Sequence, residues 1–545
     1  MTIPSILCQM RLPKTLRTYL NEARSAFAYA PIEVVLGVLL AVTFSIAVRQ
    51  RGGDEWWAYV GVGVVLALPL VFGLSVLRAR RAVAANLSWV ASAIVLASVA
   101  AYAAWIFDPD LEAEMWRAAS LTAAAVLTIS LVPVVGRGER EGVRRRVWAF
   151  AIELLLRVAG VLIYAGLLFA ALAGAVAAVS TLFELKTPDH LYADLAGLVF
   201  FALVPWVVAG GVPALAAAGE AEPDGTDAAA GRTAMRAASL LGRFLYVPVL
   251  GVYLLILYAY TIKVLATGEL PKNLLSPIIL FAGLAGFLGG VLLEPLRRDA
   301  ERRGVARLVR AFPLLLLPLL PLAVWAVGVR LAQYGWTEFR YLRFAVLLAL
   351  VLLAVAGTVR LLRRRAPLLV AVPAVLAAVL LLSAVGPWSA PAVSRRDQQA
   401  RLRSGLAEAG LLGADGRLDA LPDSTAPARV VPKALYDRIS GSATYLYRAH
   451  GPGALAPIVP EVKRFDNGWA LVRGLRLEAG CEPEQVQYAT AALPDTAGIP
   501  DLPVGTLYRL NAFGRDERRA APLAPEQARG GAVRMQVRGA ALVVS

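Results

Sequence analysis

Residues 344–365 read FAVLLALVLLAVAGTVRLLRRR, an uncharged apolar run closed by Arg360, Arg363, Arg364 and Arg365. A bilayer core is crossed by a helix of about 20 mainly apolar residues. Within it every backbone N–H and C=O must be satisfied inside the segment, which a helix achieves and an open strand does not. Stretches of this kind recur along the first 385 residues, near 31–48, 56–77, 88–106, 116–135, 158–183, 192–215, 244–265, 275–293, 311–329, 342–359 and 367–385. At 545 residues and 58% hydrophobic content, a soluble fold would need an implausibly large core. The expected fold is mainly α: a polytopic transmembrane helical bundle of about 11 spans followed by a small extracytoplasmic α+β domain. The expected boundaries are 1–30 for a cytoplasmic N-terminal segment, 31–385 for the multi-span domain and 386–545 for the extracytoplasmic part.

Arginine sets the orientation. Alternate loops carry Arg78, Arg80 and Arg81; Arg137, Arg140 and Arg144–Arg146; Arg232, Arg236 and Arg243; Arg297, Arg298, Arg302 and Arg303; and Arg360 and Arg363–Arg365. The intervening loops are poorer, holding Arg49, Arg51, Arg117, Lys186, Lys263, Lys272, Arg330, Arg340 and Arg343. Lysine and arginine bias in short loops marks the cytoplasmic side, so the N-terminus is expected inside. An odd number of spans then puts the C-terminal part outside, and the expected location is an inner (cytoplasmic) membrane. The formal net charge of +16 follows from these loops; it points to anionic inner-leaflet lipid, not to nucleic acid. Cys8 and Cys481 fall on opposite sides of the membrane in this topology, which excludes a disulfide between them.

Two spans are interrupted, one by Pro205, Gly210, Gly211 and Pro213, the other by Pro313, Pro318 and Pro321. Broken helices line transporter sites, but bundles also tolerate proline where neighbours satisfy the backbone. Gly283, Gly286, Gly289 and Gly290 on one span predict close helix packing. In the C-terminal part, Ser394 reads as a helix cap, with a polar helix following to about Leu412. The segments 443–448, 469–477, 506–512 and 532–544 read as strands.

Three polar-aromatic segments fall on the side assigned to the outside. They are YAYTIKVLATGELPK (Tyr258–Lys272), YGWTEFRY (Tyr334–Tyr341) and GPWSAPAVSRRDQ (Gly386–Gln398). In this order and spacing they resemble the bacterial integral-membrane family known as domain of unknown function 4153. That resemblance implies a membrane location and a helical fold, and no activity, substrate or catalytic residue.

The residues themselves allow two readings. Lys263, Glu269, Lys272, Arg330, Tyr334, Trp336, Glu338, Arg340 and Trp388 form a candidate outer-face binding cluster. Its cations suit a phosphate or carboxylate, its rings suit a sugar or acyl chain, and Glu269 or Glu338 suits a base. Alternatively they form an aromatic belt with snorkelling basic side chains, pinned by ion pairs of Glu338 with Arg330 or Arg340. A second, acidic constellation comprises Asp54, Glu55, Asp108 and Asp110, followed by Glu112 and Glu114. It suits a divalent cation or a base acting on a lipid-linked sugar.

His190 and His450 stand apart in sequence from other ligand-type residues, so no metal and no cofactor is expected. There is no P-loop or G-x-S-x-G signature. The expected partners are the lipid bilayer and a lipid or envelope polysaccharide precursor. The expected function is binding of an envelope component at the outer face. The alternatives are a transferase of glycosyl or other groups from a lipid carrier at the outer leaflet, and a transporter.

Overall fold

The computed structural model describes residues 24–50, 55–135, 140–184, 186–188, 190–218, 235–236, 238–268, 275–294, 303–363, 368–418 and 427–480, with two strands at 535–538 and 541–544. The chain divides into two compact units, one of residues 1–427 and 437–476, the other of residues 428–436 and 477–545.

The first unit is a helical bundle. Its helices are α1 (Pro31–Arg49), α2 (Trp56–Ala79), α3 (Ala85–Trp105), α4 (Glu112–Ile129), α5 (Arg140–Leu182), α6 (Leu191–Gly210), α7 (Val212–Ala217), α8 (Ala238–Thr267), α9 (Leu275–Leu292), α10 (Gly304–Tyr334), α11 (Glu338–Leu362), α12 (Ala371–Ala384) and α13 (Ala390–Glu408). Each apolar stretch of the sequence carries a helix. Eight described helices are long and apolar enough to cross a membrane, and Ser276–Leu292 and Ala371–Ala384 are shorter apolar helices. The protein is a multi-pass membrane protein.

Lipid tails are as apolar as leucine, so van der Waals fit rather than hydrophobic exclusion holds such helices together. The glycines of α9 provide that fit. A Cβ at Gly286 would fall 1.9 Å from the Phe312 ring of α10, and one at Gly283 would fall 2.6 Å from Leu350 of α11. The resulting core includes Leu257, Ile279, Phe287, Phe312, Leu316, Leu350, Leu353 and Leu376 from five helices. The proline breaks have local causes. Proline lacks an N–H and clashes with the carbonyl four residues back; a π-helical turn at Gly197–Leu203 precedes Pro205, and a 3-10 turn at Leu317–Leu319 contains Pro318.

The same unit also includes α14 (Lys433–His450) from Asp437 onward and α15 (Gly468–Gly474). The second unit holds the parallel pair β1 (Arg429–Val431) and β2 (Leu477–Ala479), and the antiparallel pair β3 (Met535–Arg538) and β4 (Ala541–Val544).

Three expectations need correction. Residues 443–448 are helical, because Ile439, Ala443, Leu446 and Ala449 are buried at helical spacing, which overrides the short alternating pattern of ATYLYR. The segment 469–477 is mostly the helix α15, turning to strand only at Leu477. Ser394 caps nothing: α13 starts at Ala390 with Ser389 before it and Pro391 in its first turn, which leaves Ser394 inside the helix and fully buried. The expected strand at 506–512 lies outside the described residues.

Candidate functional site

The site grows from one buried carboxylate. Glu338 opens α11 immediately after the turn Gly335–Thr337, and its side chain is almost wholly buried. An uncompensated carboxylate there would be costly, and three donors meet it. The Ser394 hydroxyl donates to Oε1, and the Tyr445 hydroxyl donates to Oε2. His450 places Nε2 3.1 Å from Oε1, with the imidazole as buried as its partner. Burial, and next the charge of Glu338, push the Tyr445 phenol far above its ordinary pKa, so it stays a donor.

The turn is held from α13. Asp397 Oδ2 accepts from the Trp336 amide at 2.8 Å, and Gln398 Nε2 donates to the carbonyls of Tyr334 and Trp336 at 3.1 and 2.9 Å. Arg401 donates to the Gln333 carbonyl at 2.8 Å, and Ser442 Oγ donates to Gln398 Oε1 at 2.9 Å. Gly335 makes this approach possible. Its φ of +69° and ψ of −174° belong to a region almost reserved for glycine, and a Cβ there would lie 2.3 Å from Asp397 Oδ2. Tyr341 adds a 2.6 Å bond from its hydroxyl to the Trp388 carbonyl. The second and third polar-aromatic segments are thus one hydrogen-bonded assembly.

Other sequence candidates play different parts. Arg340 does not pair with Glu338; it donates to the carbonyls of Tyr334 and Gly335 and sits 5.2 Å from the Tyr334 ring centre. Arg330 donates to Gln333 at 3.3 Å. Trp336 packs edge-on to Phe344, and Trp388 and Tyr334 are half exposed. Lys263 is exposed on α8 and makes no ion pair among the described residues. Glu269, Lys272 and Asp54 lie outside the described residues. Asp108 accepts the Asp110 amide at 3.0 Å, which gives it a turn-forming role, while Glu55 and Asp110 are exposed.

A cavity of about 450 Å³ meets this cluster at His450, the partner of Glu338, and is bounded by the end of α3, the start of α4, the end of α12 and the start of α13. Leu111, Leu121 and Val385 give it apolar walls, and Tyr102, Glu114, Arg117, Arg395 and His450 give it polar ones. Glu114 and Arg117 pair at 2.7 Å. Burial raises the Glu114 carboxyl pKa, against the pull of Arg117 and His450. Further out on α4, Glu112 pairs with Arg448 at 2.8 Å.

Sequence reasoning had named Glu114, which lines the cavity, but passed over the groups that meet Glu338. His450 looked solitary because its partner Glu338 lies 112 residues earlier. Ser394 was visible, but in the wrong role. Tyr445 lay in a segment read as strand. Among the described residues no group of three or more His, Cys, Asp and Glu is placed to hold a metal ion. Comparison with curated proteins and with solved structures returns no match. The profile of a family described as a domain of unknown function matches residues 71–418, a stretch that contains all three polar-aromatic segments and ends before Tyr445 and His450. By that match, the chain belongs to the family DUF4153.

Proposed function

We propose that this protein binds an amphiphilic component of the cell envelope in the cavity at His450. The observation that carries the proposal is the cavity's mixed lining: Leu111, Leu121 and Val385 are apolar, while Arg117, Arg395, Glu114 and His450 are polar or charged. Binding sites are typically concave and mostly apolar, with a few placed polar groups. In the topology we favour, about 11 spans cross a bacterial inner membrane with the N-terminus in the cytoplasm, and residues 386–545 lie outside. The arginine distribution supports it, and it sets the cavity at the outer leaflet.

Ala392 lines the cavity on α13, so Ala392→Trp should fill it. Native mass spectrometry of the purified full chain is expected to detect a retained amphiphile in the wild type and none in the variant, with unchanged melting. Equal retention by both proteins would refute the reading.

A second reading, transfer of a group from a lipid carrier, is favoured by His450. A carboxylate-held imidazole that lines a cavity is an arrangement suited to general-base chemistry. It predicts that His450→Gln retains the amphiphile but stops its conversion in membranes.

A further inference from the structure

We infer that the group this cavity receives is the phosphate of a membrane lipid, with Arg395, Arg117 and Tyr102 as donors. The inference rests on the amphiphile reading and names the chemistry of its head. It comes from which polar groups at the cavity have partners. The Tyr102 hydroxyl and Arg117 Nε are both buried and make no hydrogen bond. Buried polar atoms are almost always satisfied, and those that are not call for an explanation. Arg395 is exposed and, among the described residues, makes no hydrogen bond or ion pair. The carboxylate at the cavity, Glu114, is already held by Arg117. The groups left over can all donate, so a matching ligand supplies acceptors and negative charge. Guanidinium forks fit phosphate oxygens in pairs.

The source follows from the walls. Ile106 and Val385 line the cavity, yet each is about half exposed, at 55% and 51%. The lining therefore runs on to the outer surface of the bundle, where Trp105 stands 85% exposed beside Ile106 and Leu382 stands 52% exposed one turn from Val385. A chain lying along Ile106 and Val385 stays in the bilayer while its head reaches Arg395. Exposed Trp105 and Trp388 mark the interfacial depth, where lipids carry their phosphates.

The test uses the purified full chain, stripped of lipid in detergent. Phosphatidic acid and diacylglycerol with identical chains are titrated and followed by native mass spectrometry, with inorganic phosphate as competitor. Arg395→Gln and Tyr102→Phe are compared with the wild type; lipid held by the basic loops is common to all three and cancels. One hydrogen bond to a charged partner corresponds to roughly tenfold in affinity. We expect phosphatidic acid to bind about tenfold more weakly to Arg395→Gln and several-fold more weakly to Tyr102→Phe, with diacylglycerol unaffected by either. Phosphatidic acid binding that is equal in all three proteins overturns the inference. Displacement by inorganic phosphate at concentrations similar to the lipid overturns its membrane source. If Ala392→Trp still abolishes diacylglycerol retention, the amphiphile reading survives that failure; if Ala392→Trp changes nothing, that reading falls as well.

Discussion

Replacing Glu338 with alanine removes the acceptor on which Ser394, Tyr445 and His450 converge. A hydrogen bond to a charged group contributes about 1.5–3 kcal/mol. The three share one carboxylate and will not add, so the cost is better judged from a buried pair losing one member, about 3–5 kcal/mol. At 1.4 kcal/mol per factor of ten, the locally opened population should rise roughly 10²–10⁴-fold. Glu338→Gln keeps one acceptor oxygen but sets an amide N–H₂ against donors, and should fall between wild type and alanine. Tyr445→Phe removes one donor and should cost about 1–2 kcal/mol. Combined with Glu338→Gln it should cost less than the sum, because both changes delete the same bond. Limited proteolysis within 390–476, run where opening is fast relative to cleavage, reads the opened population directly. Cleavage of Glu338→Ala within fivefold of wild type, or strict additivity in the double variant, would refute the idea that this carboxylate organises the site.

Three further outcomes can be checked. Gly335→Ala should destabilise the turn by about 1–3 kcal/mol from its backbone angles alone, and by more once Asp397 is displaced from the Trp336 amide; unchanged hydrogen exchange at that amide would count against it. Glu114, in the first turn of α4, binds its proton more tightly in the folded chain than its ordinary value of 4.5 implies, chiefly through burial. Its contribution is fully present below 4.5 and is lost as pH rises through the raised value. Wild-type stability relative to Glu114→Gln should therefore increase on acidification, and a flat difference across a pH series would contradict this. In intact cells an impermeant thiol reagent should label Cys481 and spare Cys8; the reverse pattern would overturn the proposed orientation.

Much of the fold was legible because a bilayer leaves few options. The apolar runs and their arginine flanks are local signals, and each run carries a helix. The glycines of α9 were legible for the same reason, since close approach needs small residues at helical spacing. Errors came where the neighbours decide. Ser394 has the chemistry of a cap, but Ser389 and Pro391 start the helix, and burial against Glu338 gives Ser394 its role. ATYLYR alternates like a strand over six residues, yet belongs to a helix whose buried face repeats at 439, 443, 446 and 449. Glu338 was recognised as a candidate, but paired by proximity with Arg330 or Arg340, whose guanidinium groups bond to Gln333 and to backbone carbonyls.

Sequence alone determined that the chain crosses a membrane many times and which loops carry the positive charge. Those properties depend on composition within about 20 residues, the length a bilayer imposes. Only the tertiary structure decided that Glu338, Ser394, Tyr445 and His450 share one buried cluster, and that Tyr102, Arg117 and Arg395 line the cavity beside it. Separations of 112 residues between Glu338 and His450, and of 293 between Tyr102 and Arg395, leave no periodicity to read. The cost of burying a carboxylate is met by whichever donors the packing of α11, α13 and α14 brings within 3 Å or so, and that packing is a property of the assembled helices.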